Sequence, residues 1–273
     1  MGVTLQKANT GQNPIAGQHP KTGRFLMSRL RHAMTVGEQD LLESLIYKTQ
    51  TLQGEHILIE RGDFCDFSTM LIEGYMLRTI RDGDDEQIVG LQVPGDFVDM
   101  HAFALKRLDH DLVVIGEANV GYVRHEDLKR VLQDQPHLAR LFWFSTLLDA
   151  SIHREWIMKS NQLRAAGRVA HLLTEIWYRL RMVGLGNSKG FDTPLTQIHL
   201  ANICGMSTIH MSRSLRDLRE GGAAEFNRGR ITILDGDKLI ALGKFDPAYL
   251  YGEGGLEVGD ALNIDASESL PLS

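Results

Sequence analysis

Cysteine is nearly absent: Cys65 and Cys204 are the only two in 273 residues and stand about 140 positions apart. That excludes a disulfide framework and a C-x-x-C metal or redox pair. Two thiols are also too few for a four-thiolate iron–sulfur cluster. Eleven histidines are present, yet no H-x-H or H-E-x-x-H pattern occurs, so no metal motif can be read from spacing. No apolar run approaches the roughly 18 residues that cross a bilayer. Residues 1–20 lack the continuous apolar stretch of a secretory signal, so a cytoplasmic protein without membrane contact is expected.

An excess of positive charge is missing as well, the net charge being -6. The average hides a division, because residues 162–250 hold 12 Lys or Arg against 8 Asp or Glu. A basic module on an acidic body concentrates attraction for phosphate in one place. What remains is ordinary: 43% hydrophobic and 23% charged residues describe a globular chain. Its length suits two domains, a connecting helix and tails.

Residues 1–20 read as a flexible tail, and residues 251–273, with five acidic residues and no basic one, as an acidic one. Residues 21–130 read as a β-domain, since short apolar runs (56–59, 69–72, 77–80, 88–93, 112–115, 120–123) alternate with turns at Gly62, Gly74, Gly83 and Gly95. This is the pattern of antiparallel strands in a β-roll or jelly roll, with Asp82-Gly83 as a hairpin tip. Residues 128–163 contain one proline, Pro136, and no glycine, which predicts a long helix, placed at 131–161. Leu138, Leu141, Ser145, Leu148 and Ile152 recur at spacings of 3, 4, 3 and 4, the seam of a short coiled coil. The same stripe would serve a helix packed on its own β-roll, so dimer seam and internal face both stand.

Residues 162–250 form the third unit. Val169, Leu172, Leu173, Ile176, Trp177 and Leu180 define an amphipathic helix. A second helix opens after Thr196 and stops at Gly205; a third is capped by Ser207 and ends before Gly221-Gly222. Small Ala201 and apolar Met211 and Leu215 let these two short helices cross as a helix-turn-helix. In that register Ser207, Thr208, Ile209, Ser212, Arg213 and Arg216 project outward, with Thr196 at the start of the preceding helix, toward a major groove or its phosphates. The planar fork of Arg213 suits the O6 and N7 of guanine. Beyond, 224–226 and 231–234 flank Arg228-Gly229-Arg230, a wing whose arginines suit the sugar–phosphate backbone. The fold class expected is α+β: an N-terminal antiparallel β-roll, a long helix, and a C-terminal winged helix-turn-helix.

With these parts in this order over residues 25–245, the chain resembles the Crp/Fnr superfamily of bacterial transcription regulators. The specific block is LTQIHLANICGMSTIHMSRSLRDLREGGAAEFNRGRITI, supported by QGEHILIERGD, IEGYMLRTI and VPGDFVD in the β-roll. The resemblance implies a homodimer on a palindromic site in double-stranded DNA, with RNA polymerase and a small-molecule effector as further partners and no enzymatic activity. Members that bind cyclic AMP carry an Arg-Ser or Arg-Thr pair on the cyclic phosphate. Here the equivalent stretch ends Asp109-His110-Asp111, so negative charge meets the phosphate and cyclic-nucleotide binding is disfavoured. The effector, the operator and the sense of regulation are not legible, and no cofactor is expected. Ile209 stands where the family commonly has glutamate, so the usual half-site does not transfer.

Two other classes fit parts of the pattern. A cupin-like metal-dependent enzyme would use the β-roll interior, but needs paired histidines and a glutamate on neighbouring strands. A sensor whose helix-turn-helix binds protein is opposed by the basic wing. Asp99, His101, Asp109, His110 and Asp111 are either solvated loop residues or a carboxylate–imidazole site for a divalent ion, and His101 or His110 could sense pH. Cys65 is either redox-sensitive or a small buried hydrophobe; Cys204 belongs to the helix-turn-helix core.

Overall fold

The computed structural model describes residues 17–83 and 85–252. The tail expected at residues 1–20 lies outside them up to residue 16. Its last residues are anchored: His19 is 5% exposed and its Nε2 lies 2.8 Å from Asp40 Oδ1. The acidic tail lies outside from residue 253 onward, while the ring of Tyr251 packs edge-on to Phe144.

Helix α1 (Val36–Leu45) starts at a reciprocal capping box between Thr35 and Glu38, which satisfies two backbone donors at once. Strands β1 (Lys48–Gln53), β2 (His56–Ile59), β3 (Phe67–Asp82), β4 (Asp85–Gln92) and β5 (Asp111–Arg124) follow, with helix α2 (Ala102–Leu105) between the last two. All pair antiparallel in the order β1-β5-β3-β4, with β2 also on β5. The expected run break at Gly74 does not occur, because that glycine bulges the strand instead of ending it. Its φ is +88°, the register shifts on both sides of Glu73, and a Cβ at Gly74 would collide with Glu117 O. The runs at 112–115 and 120–123 likewise lie in one strand, β5. Bulges of this kind disrupt the ladder locally and bend the strand, and the pairing resumes on the other side.

A helix does run through the next region, but it is broken. Helix α3 (His125–Asp134) ends at Gln135, and α4 (Pro136–Gln162) begins with Pro136 in its first turn. The missing N–H of Pro136 costs nothing there. The helix placed at 131–161 is thus corrected to two, residues 131–134 belonging to α3.

The seam read from spacing turns inward. Leu138 and Leu141 are 0% exposed and pack, with Phe142, against Phe25, Leu30, Met70 and Phe97; Leu148 and Ile152 meet Phe245 and Leu250. Ser145 is half-buried and bonds Phe142 O. Those five residues therefore face their own chain, and their assignment to a subunit interface is corrected. The outward stripe lies two positions away: Trp143, Leu147 and Ile157 are 66%, 49% and 65% exposed. With Ala150 and Arg154 they recur at spacings of 4, 3, 4 and 3.

Helix α5 (Ala165–Met182) buries Val169, Leu172, Leu173, Ile176, Trp177 and Leu180. Strand β6 (Gly190–Asp192), α6 (Gln197–Ile203), α7 (Thr208–Glu220), β7 (Ala224–Asn227), β8 (Arg230–Ile233) and α8 (Gly236–Gly243) follow, with a 3-10 turn at Pro247–Leu250. One apolar cluster joins this unit to the sheet through Tyr75, Leu77, Ile88, Leu91 and Ile115. A buried polar joint runs beside it: Arg179 reaches Asp96 at 2.8 Å and Glu175 at 3.3 Å, and Glu175 also accepts from Trp156 Nε1 and Tyr249 Oη. Burial by itself lowers the Arg179 pKa, but its two carboxylates hold the guanidinium above its ordinary value. Among the described residues no helix is long and apolar enough to cross a membrane.

Candidate nucleic-acid interface

Helices α6 and α7 cross through Leu200, Ala201, Cys204, Met211, Leu215 and Leu218, all buried against α5. The turn between them needs Gly205, whose φ of +59° an L side chain rarely adopts. Thr196 Oγ1 accepts from His199 N at 3.2 Å and Ser207 Oγ from His210 N at 3.3 Å, so each helix starts at its own cap. Arg168 fastens the turn to α5 by donating to Cys204 O at 3.0 Å.

With Met211, Ser214, Leu215 and Leu218 turned inward, Ser207, Thr208, Ile209, Ser212, Arg213 and Arg216 are all exposed along α7. Ile209, at 64%, is a large apolar side chain held in water, the type that contacts a thymine methyl. Thr196 is exposed at the start of α6, its oxygen occupied by the cap. The wing is a tight hairpin: Asn227 opposes Arg230, and Arg228 and Gly229 turn with φ of +45° and +77°, as a two-residue type I′ loop requires. Arg228 is exposed at the tip, whereas Arg230 is half-buried and bonded to Asp192 at 2.8 Å. The two wing arginines are therefore unequal, one presented outward and the other engaged with β6.

The helix-turn-helix unit is seated on the edge of the sheet. The side chain of Asn202 accepts from Ile88 N and donates to Glu86 O, both at 2.6 Å, and Gln87 Nε2 donates to Asn202 O at 2.8 Å. Asn202 thus pairs with β4 as a neighbouring strand would, covering an edge that otherwise has unpaired backbone groups. Tyr75 Oη donates to Asp192 O at 2.8 Å. Sequence reasoning missed Asn202, Trp143 and Leu147. Only the last two had a signal, a second apolar stripe on α4.

Three of the five acidic and imidazole residues of the β-roll come together: His101, Asp109 and His110. Asp111 is elsewhere, accepting from Arg61 N and paired with Arg81. Asp99 is fully buried, bonds Thr69 N, and is pushed up by that burial to about 7. A cation does lie near the Asp109-His110 stretch: Arg78, from β3, close enough to lower the pKa of His110. Its guanidinium is committed to Val98 O and Asp149. Cys65 and Cys204 are both buried, and burial pushes their thiols up to about 11 and about 12, which removes the reactive thiolate.

Residues 167–242 match the Crp-like helix-turn-helix domain family. The chain is 27% identical over 205 residues to the transcriptional activator protein FnrL of Cereibacter sphaeroides, covering 73% of this chain and 81% of that one. It is 27% identical over 192 residues to the nitrogen fixation regulation protein FixK of Bradyrhizobium diazoefficiens, covering 69% and 78%. The solved structure of FixK2 from Bradyrhizobium japonicum superposes with a TM-score of 0.64 at 17% identity, over 71% of this chain and 96% of that one. Those relatives are regulators, which sets aside the cupin-like enzyme. The β-roll, the exposed α7 and the matched Crp-like helix-turn-helix domain together make the chain similar to DNA-binding transcription regulators of the Crp/Fnr type.

Proposed function

We propose that the chain binds a palindromic operator in duplex DNA as a homodimer, one α7 entering each of two successive major grooves. The observation that carries this is the exposed face of α7 together with the outward Arg228 of the wing. Arg213 reads guanine, Thr208, Ile209 and Ser212 line the groove, and Thr196, Ser207, Arg216 and Arg228 meet the backbone. Arg230 contributes less, being tied to Asp192. The Trp143, Leu147 and Ile157 stripe of α4 supports a two-fold interface. The working units are the β-roll at 21–130, the dimer helix at 136–162 and the DNA-binding domain at 162–250. A signal sensed in the β-roll shifts the two recognition helices by binding one arrangement more tightly than the other. Cytoplasmic action at promoters with RNA polymerase, and a small-molecule or ionic effector, belong to the same reading.

Selection of bound duplexes from a random pool tests it. An inverted repeat is the expected product, and a single asymmetric site refutes the dimer. Arg213→Ala costs roughly 1–3 kcal/mol and relaxes one base pair, whereas Arg228→Ala weakens all duplexes alike and lowers the salt slope by about 1. Equal losses on selected and random DNA for Arg213→Ala would show that another residue reads the base.

A further inference from the structure

Three side chains of the β-roll lie together with no role in DNA binding. His101 precedes α2, while Asp109 and His110 lie at the loop's return into β5. One possible ligand atom from each is within 4.8 Å of the other two, and the imidazole rings stand 5.2 Å apart. His110 is the informative member. Its side chain is 7% exposed, Asp109 Oδ1 lies 2.7 Å from its Nδ1, and its Nε2 is buried without a hydrogen-bond partner. A buried polar atom left unpaired costs about 1–3 kcal/mol, so one held this way beside two other possible ligands needs an explanation.

The geometry points to a divalent transition-metal site formed by His101, Asp109 and His110, with its remaining positions open to water. Two imidazoles and one carboxylate suit Zn²⁺, Co²⁺, Ni²⁺ or Fe²⁺ rather than Ca²⁺ or Mg²⁺, which take oxygen donors. Asp109 is exposed and gives an ion an entry path. Donors around such an ion stand closer than 4.8 Å, so small side-chain rotations accompany binding.

The site has a route outward. Arg78, close enough to lower the pKa of both histidines, holds Asp149 of α4. Asp149 in turn lies 3.9 Å from His153. A dication at the triad repels Arg78 and attracts Asp149, which loosens the tie between β3 and the long helix. This relay, unlike the site, rests on the regulator reading above.

Co²⁺ titration of the full chain tests the site, read by visible d–d absorption and by metal content after dialysis. One Co²⁺ per chain is expected, displaced by Zn²⁺. His101→Gln, His110→Gln and Asp109→Asn are each expected to weaken binding by about 100-fold, and His56→Gln on the surface to leave it unchanged. Asp109 is exposed, so Asp109→Asn removes a ligand without disturbing packing, and metal-free melts check the two histidine variants. Weak binding of several equivalents, insensitive to all three substitutions, overturns the site whatever the DNA does. Operator affinity is then compared with and without Zn²⁺. No change there, with Co²⁺ binding intact, refutes the relay alone.

Discussion

Leu147→Glu separates the two stripes of α4. Trp143, Leu147 and Ile157 are 66%, 49% and 65% exposed in one chain. At about 2 kcal/mol for a fully buried large apolar side chain, covering those fractions in two protomers releases about 7 kcal/mol, before the cost of association. Glutamate at 147 removes about 2 kcal/mol of that from the pair and sets two carboxylates across the two-fold axis, adding roughly 1 kcal/mol of repulsion. The dissociation constant of the proposed dimer therefore rises on the order of 100-fold. Sedimentation over a concentration series reads the shift. The urea stability of the dilute monomer stays within about 0.5 kcal/mol, because the position is half exposed. Leu148→Ala is the counterpart: that residue is 6% exposed against Ile152, Phe245 and Leu250. It costs about 2–5 kcal/mol of folding stability at any concentration. An intact dimer in Leu147→Glu refutes the reasoning. So does dissociation without destabilisation in Leu148→Ala, since that would restore the inward seam as the interface.

His171 is 3% exposed, and burial lowers its pKa to about 4, Lys159 adding to the effect. The unfolded chain binds this proton first, so stability is whole above pH 6.5 and is lost as pH falls toward 4. About 2 kcal/mol disappears between pH 8 and pH 5 through this group. Urea melts at several pH values are expected to show a shallower acid slope in His171→Gln; equal slopes would contradict the assignment. Arg179→Met takes from the buried Glu175 and from Asp96 the cation that is ion-paired with both and is expected to cost about 3–5 kcal/mol in denaturant melts, a loss under 1 kcal/mol counting against the joint. Asn202→Ala removes two hydrogen bonds from the edge of β4 and is expected to speed exchange of the Ile88 amide about 10- to 100-fold. Unchanged exchange there would mean that the helix-turn-helix unit is held to the sheet by its apolar contacts alone.

Local chemistry was readable wherever a residue acts on its own neighbours in the chain. Ser207 caps α7, Gly205 makes the turn, Arg228-Gly229 closes the wing, and Pro136 starts a helix, each through backbone geometry within a few residues. Gly74 misled because a positive φ fits a bulge as well as a turn, and only the approach of Glu117 tells them apart. The acidic and imidazole residues of the β-roll were visible as a set, but Asp99 and Asp111 found partners on β3 and at Arg61 that no spacing reveals.

Helix α4 marks the boundary between the two kinds of information. Its period of 3.6 residues and its apolar content follow from its residues alone, and both stripes satisfy a coiled-coil spacing equally well. Which one is buried depends on what stands opposite, namely Phe25 and Phe97, which meet Phe142 of the helix, and the Phe245–Leu250 turn. Asn202 is similar: an amide side chain carries no sign that an unpaired strand edge awaits it. Periodicity is a property of one segment, whereas burial is a relation between segments far apart in the chain, and so it emerges when they pack.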